Sequence, residues 1–178
     1  EIIIVDDCSK DNTPYILGQL KDIYKLRVLN NDKNEGQSFS IYKGIINSSY
    51  DTIITLDGDG QNNPKDIIKL IKLYESNINI NLVSGIRANR KDSKIKIYSS
   101  YIANSFRSFI LKDKCKDTGC SLKIFDKKIF LSFTYFSGIH RFIPALFNSF
   151  IIEGSAYNQM VNDGIMNPSC VRISSVIV

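Results

Sequence analysis

Four short apolar runs, at 1–5, 26–29, 52–56 and 81–85, alternate with three segments of helical pattern, at 14–24, 37–48 and 64–76. Strands that alternate with helices in this way build a parallel sheet, because each helix carries the chain back across one face and covers it. The fold class is therefore α/β, a mostly parallel sheet flanked by helices. Two helices carry start signals. Asn12-Thr13-Pro14 offers a cap followed by proline in the first turn, and Asn63-Pro64 repeats the device. Beyond Gly85 the pattern changes to a basic stretch from Arg87 to Lys96, then a helix-like segment from Ile97 to Leu111, then a strand expected over Cys120 to Phe125.

Open α/β sheets bind ligands beyond the carboxyl ends of their strands. Here two such ends are acidic. Asp57-Gly58-Asp59-Gly60-Gln61-Asn62-Asn63-Pro64 follows the run Thr52-Ile53-Ile54-Thr55-Leu56 directly, and Asp6-Asp7-Cys8-Ser9 follows Val5. Both turns should open on one edge of the sheet and form one nucleotide site. Carboxylates two positions apart on an extended turn can face one point, which suits a hard cation such as Mg2+ or Mn2+ that also holds diphosphate oxygens. Gly58 and Gly60 let backbone approach a ligand closely. The residues alone leave a second reading open, in which Asp6 and Asp7 form a turn and cap a helix and Asp57 and Asp59 are a solvated turn.

With 178 residues, 43% hydrophobic and 23% charged, the chain has material for one domain with a core and is too polar for a membrane bundle. We expect that domain over residues 1–150. Residues 151–178 form a tail in which no period is sustained. No stretch reaches the roughly 18 to 20 apolar residues of a spanning helix, and no signal-like leader opens the chain. From these features we expect the visible chain in the cytosol or at a membrane surface. A net charge of +5 fits anionic partners such as nucleic acid, anionic lipid or phosphorylated substrates, although the abundance of Ile, Lys and Asn is also what an AT-rich coding sequence produces. Cys8, Cys115, Cys120 and Cys170 contain no CxxC pair and are expected to be reduced thiols. The chain opens inside a strand, so an upstream element is expected to be missing.

Four ordered motifs carry a resemblance: Val5-Asp6-Asp7-Cys8-Ser9-Lys10-Asp11-Asn12-Thr13, Asn34-Glu35-Gly36, Asp57-Gly58-Asp59, and Asp117-Thr118-Gly119-Cys120-Ser121-Leu122-Lys123. In this order they resemble family 2 glycosyltransferases of the GT-A (Rossmann-like) fold. Asp59-Gly60-Gln61, Ser84-Gly85-Ile86-Arg87 and His140-Arg141-Phe142 bring the sequence nearest to the polyprenyl-phosphate sugar transferases, the group that includes dolichyl-phosphate mannosyltransferase. The likeness runs from residue 1 to about 147. It implies that Asp6 and Asp7, with Ser9 beside them, bind the base and ribose of a sugar nucleotide. It implies that Asp57 faces the ribose or sugar side, that Asp59 coordinates the metal on the diphosphate with Asp57 alongside, and that Gln61 stands near.

By the same resemblance Asp117 falls on the acceptor side as a catalytic position, while Lys123 stands where many relatives have arginine. Lysine keeps the charge but not the bidentate fork, so Lys123 would meet a phosphate as a point charge. Arg87 and Arg90 are the candidates for the acceptor phosphate, with Lys91, Lys94 and Lys96 able to meet an anionic membrane surface or simply to be solvated. His140 is the one histidine, and packing is its default reading, with catalytic base the alternative. Two departures stand out: the central strand that precedes Val5-Asp6-Asp7 in the family, and the basic tail that follows His-Arg-Phe, are not found at those places.

The function so implied is metal-dependent, inverting transfer of a hexose from a UDP- or GDP-sugar to a polyprenyl phosphate, at the cytoplasmic face of a membrane, with Mg2+ or Mn2+ as cofactor and no nucleic-acid partner. Other readings stay open: a polysaccharide or protein acceptor, a non-catalytic nucleotide-binding subunit, or a phospho-receiver domain, which also starts with a strand ending in Asp-Asp. The receiver leaves Asp59 and residues 115–147 without a role.

Overall fold

The computed structural model describes residues 1–60, 62–76, 80–86, 119–151 and 174–177. Its elements are β1 (Ile2–Asp6), α1 (Thr13–Tyr24), β2 (Arg27–Asn30), α2 (Gln37–Ile46), β3 (Thr52–Leu56), α3 (Lys65–Glu75), β4 (Leu82–Ser84), β5 (Lys123–Asp126), α4 (Lys127–Ser132), α5 (Ile139–Ile151) and β6 (Ser174–Ile177). Every strand and helix expected over the first 85 residues is present within two residues of its expected bounds. The expected strand at 120–125 begins three residues later. The helix-like segment at 97–111 lies outside the described residues.

Helix starts are secured one residue earlier than the Asn-Thr-Pro pattern suggests. Asn12 is the cap position of α1 without a side-chain bond, and it is Asp11 Oδ1 that accepts the Thr13 N–H at 2.9 Å. At α3 the Asn63 side chain accepts the Lys65 N–H at 3.0 Å, so the orphan amides that open a helix find a partner there as well.

The six strands form one sheet in the order β2-β1-β6-β3-β5-β4. β1 pairs in parallel with β2 and β6, and β6 pairs in parallel with β3. β5 is antiparallel to both of its neighbours, β3 and β4. Five strands therefore point one way and β5 the other. The consequence for function is that the start of β5 lies at the same sheet edge as the ends of β1 and β3, with Lys123 opposite Thr55 and Ser84. The centre of the sheet, which the resemblance assigns to a strand ahead of Val5, is occupied by Ser174–Ile177 from the other end of the chain. This segment aligns Ile177 with both Ile4 and Leu56.

β3 and β5 are buried on both faces, and successive residues feed two cores. Ile53 and Phe125 point to one side, where Ile41 and Ile45 of α2, Phe130 of α4, and Ile139, Ile143 and Phe147 of α5 cover them. Ile54 and Ile124 point to the other, against Leu70 and Tyr74 of α3. Phe125 stacks at tilted angles on Phe130 and Phe147, with ring centres 5.3 and 5.6 Å apart, and such aromatic pairs add to the burial itself. The apolar face of α5 is thus spent on the core. Phe142, on its outer side, packs edge-to-face on Phe136, and both rings are partly exposed. Among the described residues no helix is long and apolar enough to cross a membrane.

Candidate functional site

The first acidic turn is built on its own hydrogen bonds. Asp6 is buried at the end of β1, and its Oδ1 accepts the Ser9 N–H at 3.3 Å and the Ser9 hydroxyl. Asp7 reaches across to the loop ahead of α2. Its Oδ1 accepts from Asn31 Nδ2 at 2.7 Å and the Glu35 N–H at 2.8 Å, and its Oδ2 accepts the Gly36 N–H at 2.8 Å. Burial pushes the Asp7 carboxyl up, but the donors Asn31, Glu35 and Gly36 outweigh it and hold the group below its ordinary value. Gly36 has φ of 82°, a conformation that glycine adopts without strain, and this aims its N–H at Asp7.

The second acidic turn follows β3. Asp57 Oδ1 accepts from Gln37 Nε2 at 2.7 Å, and the Asp57 N–H donates to Ser121 Oγ at 3.1 Å. The same Ser121 hydroxyl accepts from Asn62 Nδ2 at 2.8 Å, and its carbonyl accepts from Thr55 Oγ1 at 2.6 Å. Burial raises the Asp57 carboxyl above its usual range. The Ser121 hydrogen bond opposes that, the Asp59 charge adds to it, and Gln37 and the Lys123 charge oppose it. Asp59 is exposed on the turn, and its carboxylate is close enough to Asp57 for the two charges to interact. Gly60, at φ of 73°, closes the turn in the left-handed region.

Lys123 completes the edge. It is almost fully buried at the start of β5, donates to the Cys120 carbonyl, and its charge acts on both Asp57 and His140. A lysine taken out of water needs compensation: the Cys120 carbonyl accepts its hydrogen bond, and the charges of Lys123 and Asp57 interact more weakly. His140, at the start of α5, has Nδ1 2.6 Å from Ser38 Oγ. Burial first, then the charges of Arg141 and Lys123, push the imidazole down to about 4, so the ring is neutral at pH 7.

The structure thus brings Asp6, Asp7, Ser9, Asp57, Asp59 and Lys123 to one edge of the sheet. Gln61, Arg87, Arg90 and Asp117, together with Lys91, Lys94 and Lys96, lie outside the described residues. Four residues that the motifs left without a role are central to the geometry: Asn31, Gln37, Ser38 and Ser121. A signal was available for Gln37 and Ser38, since they directly follow the Asn34-Glu35-Gly36 motif in the first turn of a helix. Asn31 and Ser121 are polar residues at strand ends, and only pairing across the sheet reveals their partners. Among the described residues no three His, Cys, Asp or Glu side chains gather as a metal cage. Two carboxylates on one turn still fit Mg2+, which keeps waters and usually takes one or two carboxylates plus substrate phosphates.

The sequence profile described as "Glycosyl transferase family 2" matches residues 1–133. The chain belongs to this family. Family members similar to it include the dodecaprenyl-phosphate galacturonate synthase of Rhizobium johnstonii, 36% identical over 150 residues, covering 82% of this chain and 44% of that protein. The undecaprenyl-phosphate 4-deoxy-4-formamido-L-arabinose transferases of Yersinia pestis (strain Pestoides F) and Serratia proteamaculans (strain 568) are 34% and 35% identical over 153 residues, covering 84% of this chain and 46% of each relative. The chain spans a little under half the length of these relatives. The α/β sheet with its single reversed strand agrees with the GT-A architecture of the family, and membership sets the receiver-domain reading aside.

Proposed function

We propose that this family 2 glycosyltransferase domain binds a UDP- or GDP-sugar at the edge formed by its two acidic turns and passes the sugar to a polyprenyl phosphate at a membrane surface. One observation carries the reading. Acidic turns end β1 and β3 on the same edge, and the reversed strand β5 delivers the buried cation Lys123 beside Asp57. Donor diphosphate and acceptor phosphate are both anions, so a site for this reaction needs carboxylates that take a cation together with fixed positive charge. The similar family members, a dodecaprenyl-phosphate synthase and two undecaprenyl-phosphate transferases by name, support the acceptor class.

In this mechanism an oxygen of the acceptor phosphate attacks the anomeric carbon. The bond from that carbon to the diphosphate breaks as the new one forms, and the electron pair leaves with the nucleoside diphosphate, giving inversion. A phosphate monoester with its second pKa near 6 is largely dianionic at neutral pH and needs no base to become a nucleophile. Asp57 and Asp59 would hold Mg2+ or Mn2+, and such a bound ion neutralises charge developing on the leaving diphosphate. The chain's own residues do the positioning. Gln37 and Ser121 fix Asp57, while Lys123, and by family resemblance Arg87 and Arg90, hold the acceptor anion in line against the repulsion of a second anion.

Calorimetric titration with UDP and GDP, each with Mg2+, Mn2+ or EDTA, tests the donor half. One nucleotide should bind in a metal-dependent manner, with Asp59→Ala losing that dependence. Metal-independent binding, or none, would remove the acidic turns from the donor site.

A further inference from the structure

His140 stands outside the donor chemistry, yet its ring is held in one orientation. Ser38, in the first turn of α2, is 6% exposed, and its Oγ accepts the Gly138 N–H at 2.8 Å. The only other partner of that oxygen among the described residues is His140 Nδ1, at 2.6 Å. A buried hydroxyl proton is costly to leave without an acceptor. With Gly138 already donating to the oxygen, the Ser38 proton is satisfied by pointing at Nδ1. Nδ1 is then the acceptor, and the imidazole proton sits on Nε2.

The surroundings of the ring are cationic. Lys123 of β5 and Arg141 of α5 both act on it, and both disfavour a further positive charge there. A neutral ring carrying Nε2–H avoids that penalty and still offers a donor to an anion. Ser38 also directly follows Gln37, whose side chain grips Asp57, so two adjacent residues of one helical turn fix the donor side and this imidazole together.

We propose that His140 is an acceptor-binding residue: Ser38 fixes it as the Nε2–H tautomer, and Nε2–H donates to the phosphate of the lipid acceptor beside Lys123. This rests on the acceptor class given under the proposed function. It adds the residue that sequence reading left as a packing group or a base. A base would need Nε2 unprotonated, so the two roles require opposite tautomers.

The chain has one histidine, so nitrogen-15 labelling of histidine gives a single imidazole spectrum that needs no assignment. In the full chain at pH 7 the expected pattern is the Nε2–H tautomer, and adding a detergent-soluble short-chain polyprenyl phosphate should shift Nε2 more than Nδ1. Ser38→Ala should give a mixture of tautomers and raise the acceptor KM about tenfold, the loss of one fixed donor to a charged group, with little change in the donor KM. An Nδ1–H tautomer in the unmodified chain would overturn the inference alone. So would calorimetric binding of the lipid phosphate without any shift at Nε2. Absence of lipid phosphate binding altogether would overturn the acceptor reading and this inference with it.

Discussion

The backbone N–H of Gly36 donates to Oδ2 of Asp7 at 2.8 Å, bridging 29 positions of the chain. Together with the Glu35 N–H and the Asn31 amide on the other oxygen, it makes Asp7 the post to which the loop before α2 is tied. That loop in turn sets Gln37 against Asp57 and Ser38 against His140. Asp7 therefore assembles the site as well as standing in it.

Asp7→Ala should leave the exposed Glu35 amide and the half-buried Gly36 amide to water and destabilise the domain by about 1 kcal/mol, the net worth of hydrogen bonds that solvent can replace. The urea midpoint of the variant checks this. The Asp7 carboxyl is held below its ordinary value of 3.8 in the fold, so its contribution is present above that value and is lost as pH falls through the lower folded value. The difference between wild type and Asp7→Ala should accordingly shrink only in strong acid.

Gln37→Ala removes the amide that orients the Asp57 carboxylate. On the proposed assignment of Asp57 to the donor side, the variant should raise the donor KM about five- to tenfold, one hydrogen bond to a charged group, and leave the acceptor KM near the wild-type value. Steady-state kinetics with each substrate varied in turn separates the two. Equal effects on both would make Gln37 a general packing residue.

His140 predicts a stability change of its own. Its folded value of about 4 lies below the ordinary 6.5, so between these limits the unfolded chain binds a proton that the fold refuses. Stability is then full above about 6.5 and falls as pH drops toward 4. Groups facing the ring are Ser38 from α2, Lys123 from β5 and Arg141 from α5. Thermal unfolding from pH 7 to 4 should show the loss in wild type and a smaller one in His140→Gln.

Ser174–Ile177 is hydrogen-bonded on both sides, to β1 and to β3. A proline in a central strand removes a ladder hydrogen bond and is tolerated essentially only at sheet edges. Val176→Pro should therefore abolish cooperative unfolding and metal-dependent nucleotide binding together, because Asp6–Asp7 and Asp57 are held at their spacing by this strand. Circular dichroism melting and nucleotide titration check both. Retention of both would show that the two acidic turns keep their spacing without β6.

Much of this architecture was legible in the order of residues. Ile2–Val5 and Thr52–Leu56 announce buried strands by their apolar runs, and the acidic turns follow from position at the strand ends. What periodicity could not give was the path of Ser174–Ile177. Four residues after an aperiodic stretch carry too little pattern to be placed, and their position depends on pairing with strands more than a hundred residues away. The placement of β5 was hidden for a similar reason. The motif marks Lys123 as a candidate phosphate contact, but only the antiparallel pairing with β3 shows that it starts its strand at the edge where β1 and β3 end. Gln37 and Ser38 stood next to the Asn34-Glu35-Gly36 motif, but their partners lie 20 and 102 positions away, and the hydrogen bond of Ser121 across 64 positions leaves no local trace.

The most direct test of the central claim is transfer of a labelled sugar from a panel of UDP- and GDP-sugars to a short-chain polyprenyl phosphate, with Mg2+, Mn2+ or EDTA, by the wild type and by Asp59→Ala. We predict a lipid-linked sugar formed only with metal and only by the wild type, from one class of donor. Metal-dependent nucleotide binding with no lipid product, or transfer by Asp59→Ala at the wild-type rate, would contradict it.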